Sequence, residues 1–307
     1  MTPVRVDTAP VTATSPGPTA AYAEREMVIA IDGGTITGWL NGDGPPLLLL
    51  HGGPGLSDYL PPLAAELAPS FSVFRYQQRG LPPSATSGER TVDAHVADAI
   101  RVLDGLGWDR AIVAGHSWGG HLAMHVAVAH PERTAALVAI DPLGGLGDGG
   151  LQEFRDRLLS QLSPDPRARF DEIEAHEAAG QLIEAEQLEG LGILWPYYFA
   201  NPQTAPPMPP MRWDIDGSLR TWESINEHLK AGTLERGLPT VEAPTIFIHG
   251  ASDPIPAAQI EQTAALVPDA ALHVLVGIGH FPYLEQPGSV RKLLVDFAAK
   301  RVATNTG

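Results

Sequence analysis

Short apolar runs that alternate with helical patterns are the feature that most restricts how this chain can fold. Six of these runs after residue 45 are five or six residues long: PLLLL, FSVFRY, AIVAGH, ALVAI, TIFIHG and LHVLV. Continuous runs of this length are typical of strands that are buried on both faces of a sheet. Helical spacing occurs between them, as in Val92, Val96, Ile100 and Leu103 after Thr91. The sequence therefore predicts an α/β fold, with a mostly parallel central sheet flanked by helices on both faces.

The N-terminal region divides into a leader and a hairpin. Residues 1–23 are rich in Pro, Thr and Ala and have no helical or strand periodicity, so we expect a disordered leader. Prolines also interrupt any apolar segment that could serve as a secretory signal. Residues 27–31 and 35–40 are joined by Asp-Gly-Gly, which predicts an antiparallel hairpin at the N-terminal edge of the sheet.

The alternation of strands and helices stops after residue 142. Residues 143–239 begin with the glycine-rich LGGLGDGG, continue with helical patterns and include the proline-rich NPQTAPPMPP. The glycine run lacks the G-x-G-x-x-G spacing of a nucleotide-binding loop, and we interpret it as a hinge. We predict a helical cap over residues 143–239, inserted into a core formed by residues 24–142 and 240–307.

The composition restricts the partners of such a fold. A formal net charge of −16 disfavours nucleic acids and anionic membrane surfaces, because both attract cationic proteins. No apolar run approaches the length of a membrane span, and the absence of cysteine excludes disulfides and thiolate chemistry. We therefore predict a cytoplasmic protein that acts on a small-molecule substrate and has no nucleic-acid or membrane partner. The oligomeric state is left open.

A glycine-flanked serine lies between a predicted strand and a predicted helix. Gly115, Ser117 and Gly119 form the pattern G-x-S-x-G between AIVAGH and HLAMHVAVAH. A sharp turn from strand to helix needs small flanking residues, and it brings the serine hydroxyl to the sheet edge beside a helix N-terminus. The pattern alone also fits an ordinary serine in a glycine-rich turn. Its interpretation as a nucleophile therefore depends on partner residues.

A serine nucleophile needs a base, and the base needs an acid that orients it. His280 follows the strand LHVLV, in GIGHFPYLEQPG, and Asp253 follows TIFIHG, in GASDPIP. Carboxyl ends of parallel strands meet at one edge of a sheet, so we expect both residues to lie near Ser117. Asp141, in VAIDPLGG, also ends a strand and is the alternative acid.

A second glycine-rich loop, HGGPG at residues 51–55, follows the strand PLLLL. Glycines let backbone N–H groups approach the oxyanion that forms during acyl transfer. We predict that the amides of Gly53 and of Trp118, the residue after the nucleophile, donate to this oxyanion.

Together these motifs resemble the α/β-hydrolase fold. HGGPG, GHSWGG, GASDPIP and GHFPYLEQPG carry the resemblance over about residues 27–142 and 240–300, and HGGPG paired with G-x-S-W-G-G is similar to the proline iminopeptidase branch. The resemblance implies a Ser-His-Asp triad and an oxyanion hole, formed by Ser117, His280 and Asp253 and by the amides of Gly53 and Trp118.

The chain departs from that branch in YQQRGLPPS, where Gln77 and Pro82 replace an aspartate and a glycine. Proline iminopeptidases hold the substrate ammonium with cap glutamates, one of them commonly in a Trp-Glu pair, and TWESINEHL supplies Glu223 for this role. Trp195 and Tyr198 are candidates for lining an apolar substrate pocket, although aromatic clusters more often belong to a core.

The combined prediction is a cofactor-independent serine hydrolase that cleaves an ester, lactone or amide bond of a small, largely apolar substrate. A proline iminopeptidase-type aminopeptidase is the alternative. A fold member recruited for ligand binding or a non-hydrolytic rearrangement is a further one. No metal is predicted, because the i,i+4 pair His121 and His125 lacks the glutamate and third ligand of H-E-x-x-H.

Overall fold

The computed structural model describes residues 5–8 and 23–304, and within these ranges nine strands form one sheet. The strands are, in chain order, β1 (Arg5–Asp7), β2 (Arg25–Ile31), β3 (Gly34–Asn41), β4 (Pro46–Leu50), β5 (Ser72–Tyr76), β6 (Ala111–His116), β7 (Thr134–Ile140), β8 (Thr245–Gly250) and β9 (Ala270–Leu275).

The sheet is mostly parallel, with the order β1-β9-β8-β7-β6-β4-β5-β3-β2. Every neighbouring pair from β1 to β5 in this order is parallel, whereas β3 pairs antiparallel with both β5 and β2. The predicted fold class, with its antiparallel hairpin at one edge, is confirmed.

Helices cover the sheet and fill the long segment between β7 and β8. The α-helices of the described ranges are α1 (Pro61–Leu67), α2 (Val92–Leu106), α3 (Trp118–Ala129), α4 (Leu151–Ser160), α5 (Pro164–Ala178), α6 (Glu184–Leu194), α7 (Ile215–Lys230), α8 (Thr233–Gly237), α9 (Ala257–Ala264), α10 (Pro282–Glu285) and α11 (Ser289–Thr304). Four short 3₁₀ segments accompany them: Pro131–Arg133, Trp195–Tyr198, Pro202–Thr204 and Leu238–Thr240.

Alternate residues of the central strands pack against helices on opposite faces. In β4, Leu48 and Leu50 belong to the apolar core that includes α2, α3 and α9, whereas Leu47 and Leu49 belong to the core that includes α1 and α11. Successive side chains of a strand point to opposite faces, and all four leucines are buried. This arrangement explains why β4 is a continuous apolar run rather than an alternating one.

The prediction of a disordered leader over residues 1–23 is wrong for three of its residues. Arg5–Asp7 form β1, which pairs in parallel with β9 at residues 271–273. An edge strand offers unpaired N–H and C=O groups, and an extended tripeptide can bond to them without any side-chain periodicity that a sequence pattern would reveal. Residues 1–4 and 9–22 of the leader lie outside the described residues.

The segment predicted to be a cap is helical. The chain leaves the carboxyl end of β7, forms α4 to α8 and returns to β8, the parallel neighbour of β7. None of the described helices combines the length and apolarity that crossing a membrane requires. At the carboxyl edge of the sheet, β6, β7, β8 and β9 end, and the loops that follow these strands carry Ser117, Asp141, Asp253 and His280.

Candidate active site

Ser117 occupies a strained turn between β6 and α3. Its backbone has φ 57° and ψ −124°, and it is one of two described non-glycine residues with positive φ. The flanking glycines are required sterically: a Cβ on Gly115 would lie 2.0 Å from the carbonyl oxygen of Gly119, and a Cβ on Gly119 would lie 2.1 Å from that of Leu50. Strain of this kind persists only where the surrounding structure enforces it, and it commonly marks functional sites.

We expect Gly115→Ala to destabilise the protein by about 1–3 kcal/mol or more, because its methyl group would overlap backbone atoms that cannot rotate away. Urea unfolding at equilibrium measures the effect. Gly192→Ala is the matched control, because the nearest atom to a Cβ there is the Met208 methyl carbon at 3.9 Å and the site is helical. There alanine should be neutral or stabilising by up to about 1 kcal/mol. Equal stability of the two variants would contradict this account of the turn.

His280 and Asp253 meet at the carboxyl ends of β9 and β8. The His280 Nδ1–H donates to Asp253 Oδ2 at 2.7 Å, and the backbone N–H of Ile255 donates to Asp253 Oδ1 at 2.8 Å. Both side chains are buried. The hydrogen bond at Nδ1 leaves the Nε2 atom of a neutral His280 unprotonated, as a general base requires.

The two groups change each other's ionisation. Burial disfavours the charged form of His280, but the adjacent Asp253 carboxylate and its hydrogen bond have the larger combined effect, so the pKa of His280 is raised. Burial likewise opposes ionisation of Asp253, yet the His280 charge and hydrogen bond lower the pKa of this carboxyl below its ordinary value. The pair therefore consists of an ionised acid and a base whose protonated form is stabilised.

Asp141, the alternative acid, lies beside this pair. It follows β7 directly, has φ 43° and is completely buried. Its Oδ1 accepts a hydrogen bond from the backbone N–H of Gly250 at 2.7 Å, whereas the carboxylate that His280 contacts belongs to Asp253. A carboxylate oxygen of Asp141, a carboxylate oxygen of Asp253 and a ring nitrogen of His249 all lie within 4.8 Å of one another.

The HGGPG loop packs directly against the turn that holds Ser117. A Cβ on Gly52 would lie 2.9 Å from the Ser117 Cβ. Gly53 has φ +135°, a backbone conformation that residues with a side chain rarely adopt. Gly53, Ser117 and Trp118 line one cavity of about 310 Å³. The two predicted oxyanion donors thus border the same space as the serine.

A hydrogen-bond chain that the sequence analysis did not find connects these three loops. Burial lowers the pKa of His116 to about 3, so its ring is neutral at pH 7. Its Nε2–H donates to the carbonyl oxygen of His280 at 2.6 Å, and its Nδ1 accepts from the Tyr59 hydroxyl at 2.8 Å. The Tyr59 oxygen in turn accepts from the Gly52 N–H at 3.0 Å. The base loop, the serine turn and the glycine loop are therefore held in one relative position.

Gln78 is a second supporting residue that the sequence analysis missed. Its Oε1 accepts from the Trp118 indole N–H at 3.0 Å, and its side-chain amide donates to the carbonyl oxygen of His51 at 2.7 Å. The neighbouring Gln77, which departs from the iminopeptidase motif, accepts from the backbone N–H of Asp58 at 2.9 Å. The motif YQQRG could have indicated this role, because polar residues that directly follow a buried strand lie at the same sheet edge as the site.

The predicted substrate-binding residues have different positions. Tyr198 lines the cavity, but Trp195 is buried against Phe281 at a ring distance of 4.8 Å and is absent from the cavity wall. Glu223 is exposed on α7 and does not line this cavity, whereas Trp222 does. Adjacent helical residues point about 100° apart, so one member of the Trp-Glu pair faces the cavity and the other faces solvent.

The inserted segment contributes polar residues to the cavity wall that the sequence analysis did not single out. Arg155 of α4 and Glu174 of α5 form an ion pair, and Glu177 and Gln187 line the same cavity. Apolar residues complete the wall, among them Leu143, Phe154, Phe170, Leu191 and Trp222. The cavity is therefore mainly apolar, with a charged group of residues on the side of the inserted helices.

The imidazoles of His121 and His125 hydrogen-bond to each other, and the ring of His228 lies 4.9 Å from that of His125. The Nε2 atoms of His121 and His125 lie 3.3 Å apart, and the His121 Nδ1–H donates to the carbonyl oxygen of Leu143 at 3.2 Å. Both residues belong to α3, and both rings are buried.

Comparison with known proteins gives a single family. The model of the alpha/beta hydrolase fold matches residues 45–287. A 2-hydroxymuconate semialdehyde hydrolase of Pseudomonas sp. is 29% identical over 85% of this chain and 89% of its own length. A proline iminopeptidase of Heyndrickxia coagulans is 24% identical over 84% and 91%, and a pimeloyl-[acyl-carrier protein] methyl ester esterase of Xanthomonas oryzae pv. oryzae is 28% identical over 84% and 96%. Three relatives at similar identity thus carry three different activities in their names.

Proposed function

The chain belongs to the alpha/beta hydrolase fold family, and on that premise we propose that it is a serine hydrolase that cleaves an ester, lactone or amide through an acyl-enzyme. The observation that carries the proposal is the buried His280–Asp253 hydrogen bond of 2.7 Å, joined through His116 to the turn that holds Ser117. This is the base-and-acid pair that an unactivated serine requires.

In the proposed mechanism, His280 removes the hydroxyl proton of Ser117 as the serine oxygen attacks the substrate carbonyl. The amides of Gly53 and Trp118 donate to the resulting oxyanion. His280 then protonates the leaving group, and the same histidine later activates the water that releases the acyl-enzyme. Asp253 keeps the Nδ1 proton in place and stabilises the imidazolium that forms in each half-reaction.

We assign substrate selection to residues 143–239 as a cap on the core of residues 24–142 and 240–307. In support, the cavity beside Ser117 is walled by both parts: Gly53 and Trp118 from the core, and Phe154 and Phe170 from the inserted helices. Its volume of about 310 Å³ and mainly apolar wall suit a small, largely apolar substrate.

An aminopeptidase that takes an N-terminal proline is the second candidate. The observation in its favour is that two glutamates, Glu174 and Glu177, line the cavity beside a single arginine, Arg155. A substrate ammonium would be attracted to this wall. Glu223, the glutamate suggested by sequence resemblance, is exposed and away from the cavity wall, so Glu177 is the better residue to test.

A substrate panel separates the two candidates. We expect turnover of short-chain p-nitrophenyl esters at least tenfold above that of prolyl and other aminoacyl p-nitroanilides, because the wall is mainly apolar and Glu174 is already paired with Arg155. Steady-state kcat/KM for each substrate is the measurement. Glu177→Gln is compared with the exposed control Glu223→Gln. Preferred turnover of prolyl anilide, with KM raised in Glu177→Gln and not in Glu223→Gln, would instead establish the aminopeptidase. Binding without turnover of any member would favour the ligand-binding alternative.

A further inference from the structure

Four titratable side chains crowd together behind the proposed catalytic base. Asp141 follows β7, His249 lies at the end of β8, and Asp253 and His280 follow β8 and β9. All four are at least 97% buried. The His249 Nδ1 lies 3.2 Å from Asp141 Oδ1 and 3.8 Å from Asp253 Oδ2. Two carboxyl groups and two imidazoles therefore share one water-poor space.

The hydrogen bonds around this group fix most of its protons. The His280 Nδ1–H and the Ile255 N–H are directed at Asp253, so Asp253 acts as an acceptor on both oxygens. The His249 Nε2–H donates to the carbonyl oxygen of Ile255 at 3.1 Å, which leaves the Nδ1 of a neutral His249 as a lone pair. Asp141 Oδ1 accepts from Gly250.

Two buried atoms of this group have no hydrogen-bond partner: Asp141 Oδ2 and His249 Nδ1. An ionised Asp141 would also place a second negative charge against Asp253. Buried polar groups without partners are costly, and two carboxylates in contact do not both ionise readily. A proton on Asp141 removes the second negative charge, and it gives the unpartnered Asp141 Oδ2 an O–H to donate inside the group.

We propose that Asp141 is held as a neutral carboxylic acid and donates a hydrogen bond to the Asp253 carboxylate, acting as a positioning residue for the acid of the triad. The effect of this hydrogen bond on catalysis rests on the proposed serine-hydrolase function, in which Asp253 orients His280. Asp141 leaves a single negative charge facing His280 and fixes the orientation of the carboxylate that bears it.

The ionisation tendencies of the two acids agree with this geometry. Burial, followed by the negative charge of Asp253, raises the pKa of Asp141 well above its ordinary value, whereas the pKa of Asp253 is lowered by His280 despite burial. Burial also lowers the pKa of His249, which keeps this imidazole neutral. The guanidinium of Arg157 lies beside these groups, and its Nη1 donates to the backbone carbonyl oxygen of Asp253 at 3.4 Å.

The backbone offers suitable test variants. Asp141 has φ 43°, a conformation that asparagine tolerates and glycine adopts without strain. Asp141→Asn keeps an acceptor for Gly250 and places an N–H donor where the proposed O–H would be. Asp141→Gly removes the donor without adding backbone strain. Asp43→Asn, at an exposed aspartate three residues before β4, is the control for a general loss of negative charge.

The acid limb of the kcat/KM profile reports the protonation of His280 in the free enzyme. A negative charge nearby raises the pKa of a histidine, so removing one lowers it. If Asp141 is neutral, Asp141→Asn removes no charge, and the acid limb stays where it is in the wild type and in Asp43→Asn. If Asp141 is ionised, the limb of Asp141→Asn moves to lower pH by about 1 unit or more, and the proposal is overturned.

Asp141→Gly should move the same limb to higher pH by about half a unit, because the Asp253 charge is no longer shared with a donor and holds the His280 proton more strongly. If the acid limb of kcat/KM lies at the wild-type pH in Asp141→Asn but is shifted in Asp141→Gly, the hydrogen-bond donor at residue 141 positions Asp253. A merely structural effect of losing Asp141 would shift the limb in both variants. Identical profiles for the Asn and Gly variants would contradict the proposal.

Infrared difference spectroscopy tests the protonation state without relying on turnover. Wild-type protein at pH 7 minus Asp141→Asn should show the carbonyl stretch of a neutral, buried carboxylic acid. The band should also be present in Ser117→Ala, which separates failure of this inference from failure of the proposed hydrolase function. Absence of the band in the wild type, or its replacement by a carboxylate band, would overturn the assignment of the proton to Asp141.

Discussion

Ser117→Ala is expected to lower kcat for the best ester substrate by about 10⁴–10⁶, because the acyl-enzyme can no longer form and only the oxyanion donors and substrate binding remain. The KM should change little, since the hydroxyl supplies almost no ground-state contact. Stopped-flow and steady-state assays of p-nitrophenolate release measure the loss. Labelling by a fluorophosphonate, which reacts with activated serines, should disappear in the same variant.

The control for this substitution is Ser160→Ala, at an exposed serine of α4 whose hydroxyl donates to the carbonyl oxygen of Arg157. It should retain wild-type turnover and labelling. Undiminished turnover by Ser117→Ala would refute the proposed mechanism.

Ser117→Gly adds a measurement that a misfolded variant could not mimic. Positive φ at a non-glycine residue costs about 1–3 kcal/mol, and glycine removes most of that cost. We therefore expect Ser117→Gly to be as inactive as the alanine variant and at least as stable as the wild type in urea unfolding. Lower activity combined with equal or higher stability is the signature of a strained functional residue.

The parts of the fold and site that depend on local sequence could be predicted. The central strands are continuous apolar runs because helices cover both faces of the sheet, and β4 is the plainest example, with four consecutive buried leucines. The sharp turn at Ser117 could be predicted because the G-x-S-x-G pattern lies within five residues, and the limit on Gly115, whose Cβ would meet Gly119, is local, although the limit on Gly119 comes from the distant Leu50. The meeting of His280 and Asp253 could be predicted because the ends of parallel strands fall at a common edge.

Contacts between distant segments could not be predicted in the same way. Tyr59 hydrogen-bonds to Gly52 and to His116, which lies 57 positions further along the chain, and nothing in the sequence around Tyr59 marks it as a partner of that histidine. Glu223 was selected from a dipeptide pattern, but the rotation of α7 decides which residue of the pair faces the cavity, and Trp222 is the one that does. Rotation of a helix about its axis depends on tertiary packing, which a short motif does not contain.

The protonation states of Asp141 and Asp253 also depend on contacts between distant segments, and they could not be predicted from the sequence. Asp141 and Asp253 are separated by more than a hundred residues in the chain, and both end strands in similar motifs. Burial and the neighbouring Asp253 charge raise the pKa of Asp141, whereas His280 lowers the pKa of Asp253, and both effects arise only from the tertiary arrangement at the strand ends. A sequence pattern offers them as alternatives, whereas the geometry gives each a separate part in one hydrogen-bonded group.

Asp253→Asn should be the second most damaging substitution, with kcat lowered by about 10⁴. Asp253 Oδ1 accepts from Ile255 N–H, so asparagine keeps its oxygen there and turns its NH₂ group toward His280. Two donors then face each other, and His280 moves its proton from Nδ1 to Nε2. Nε2 is the atom that must accept the serine proton, so the base is blocked although the protein remains folded.

The pH dependence of the residual activity gives a second readout of the same substitution. Loss of the Asp253 charge lowers the pKa of His280, so the acid limb of kcat/KM should move to lower pH, opposite to the shift expected for Asp141→Gly. Asp141→Asn, which removes a carboxyl from the neighbouring strand end, is the matched comparison and should retain far more activity than Asp253→Asn. If Asp141→Asn instead lost about 10⁴ in kcat while Asp253→Asn stayed active, the acid of the triad would have to be reassigned to Asp141.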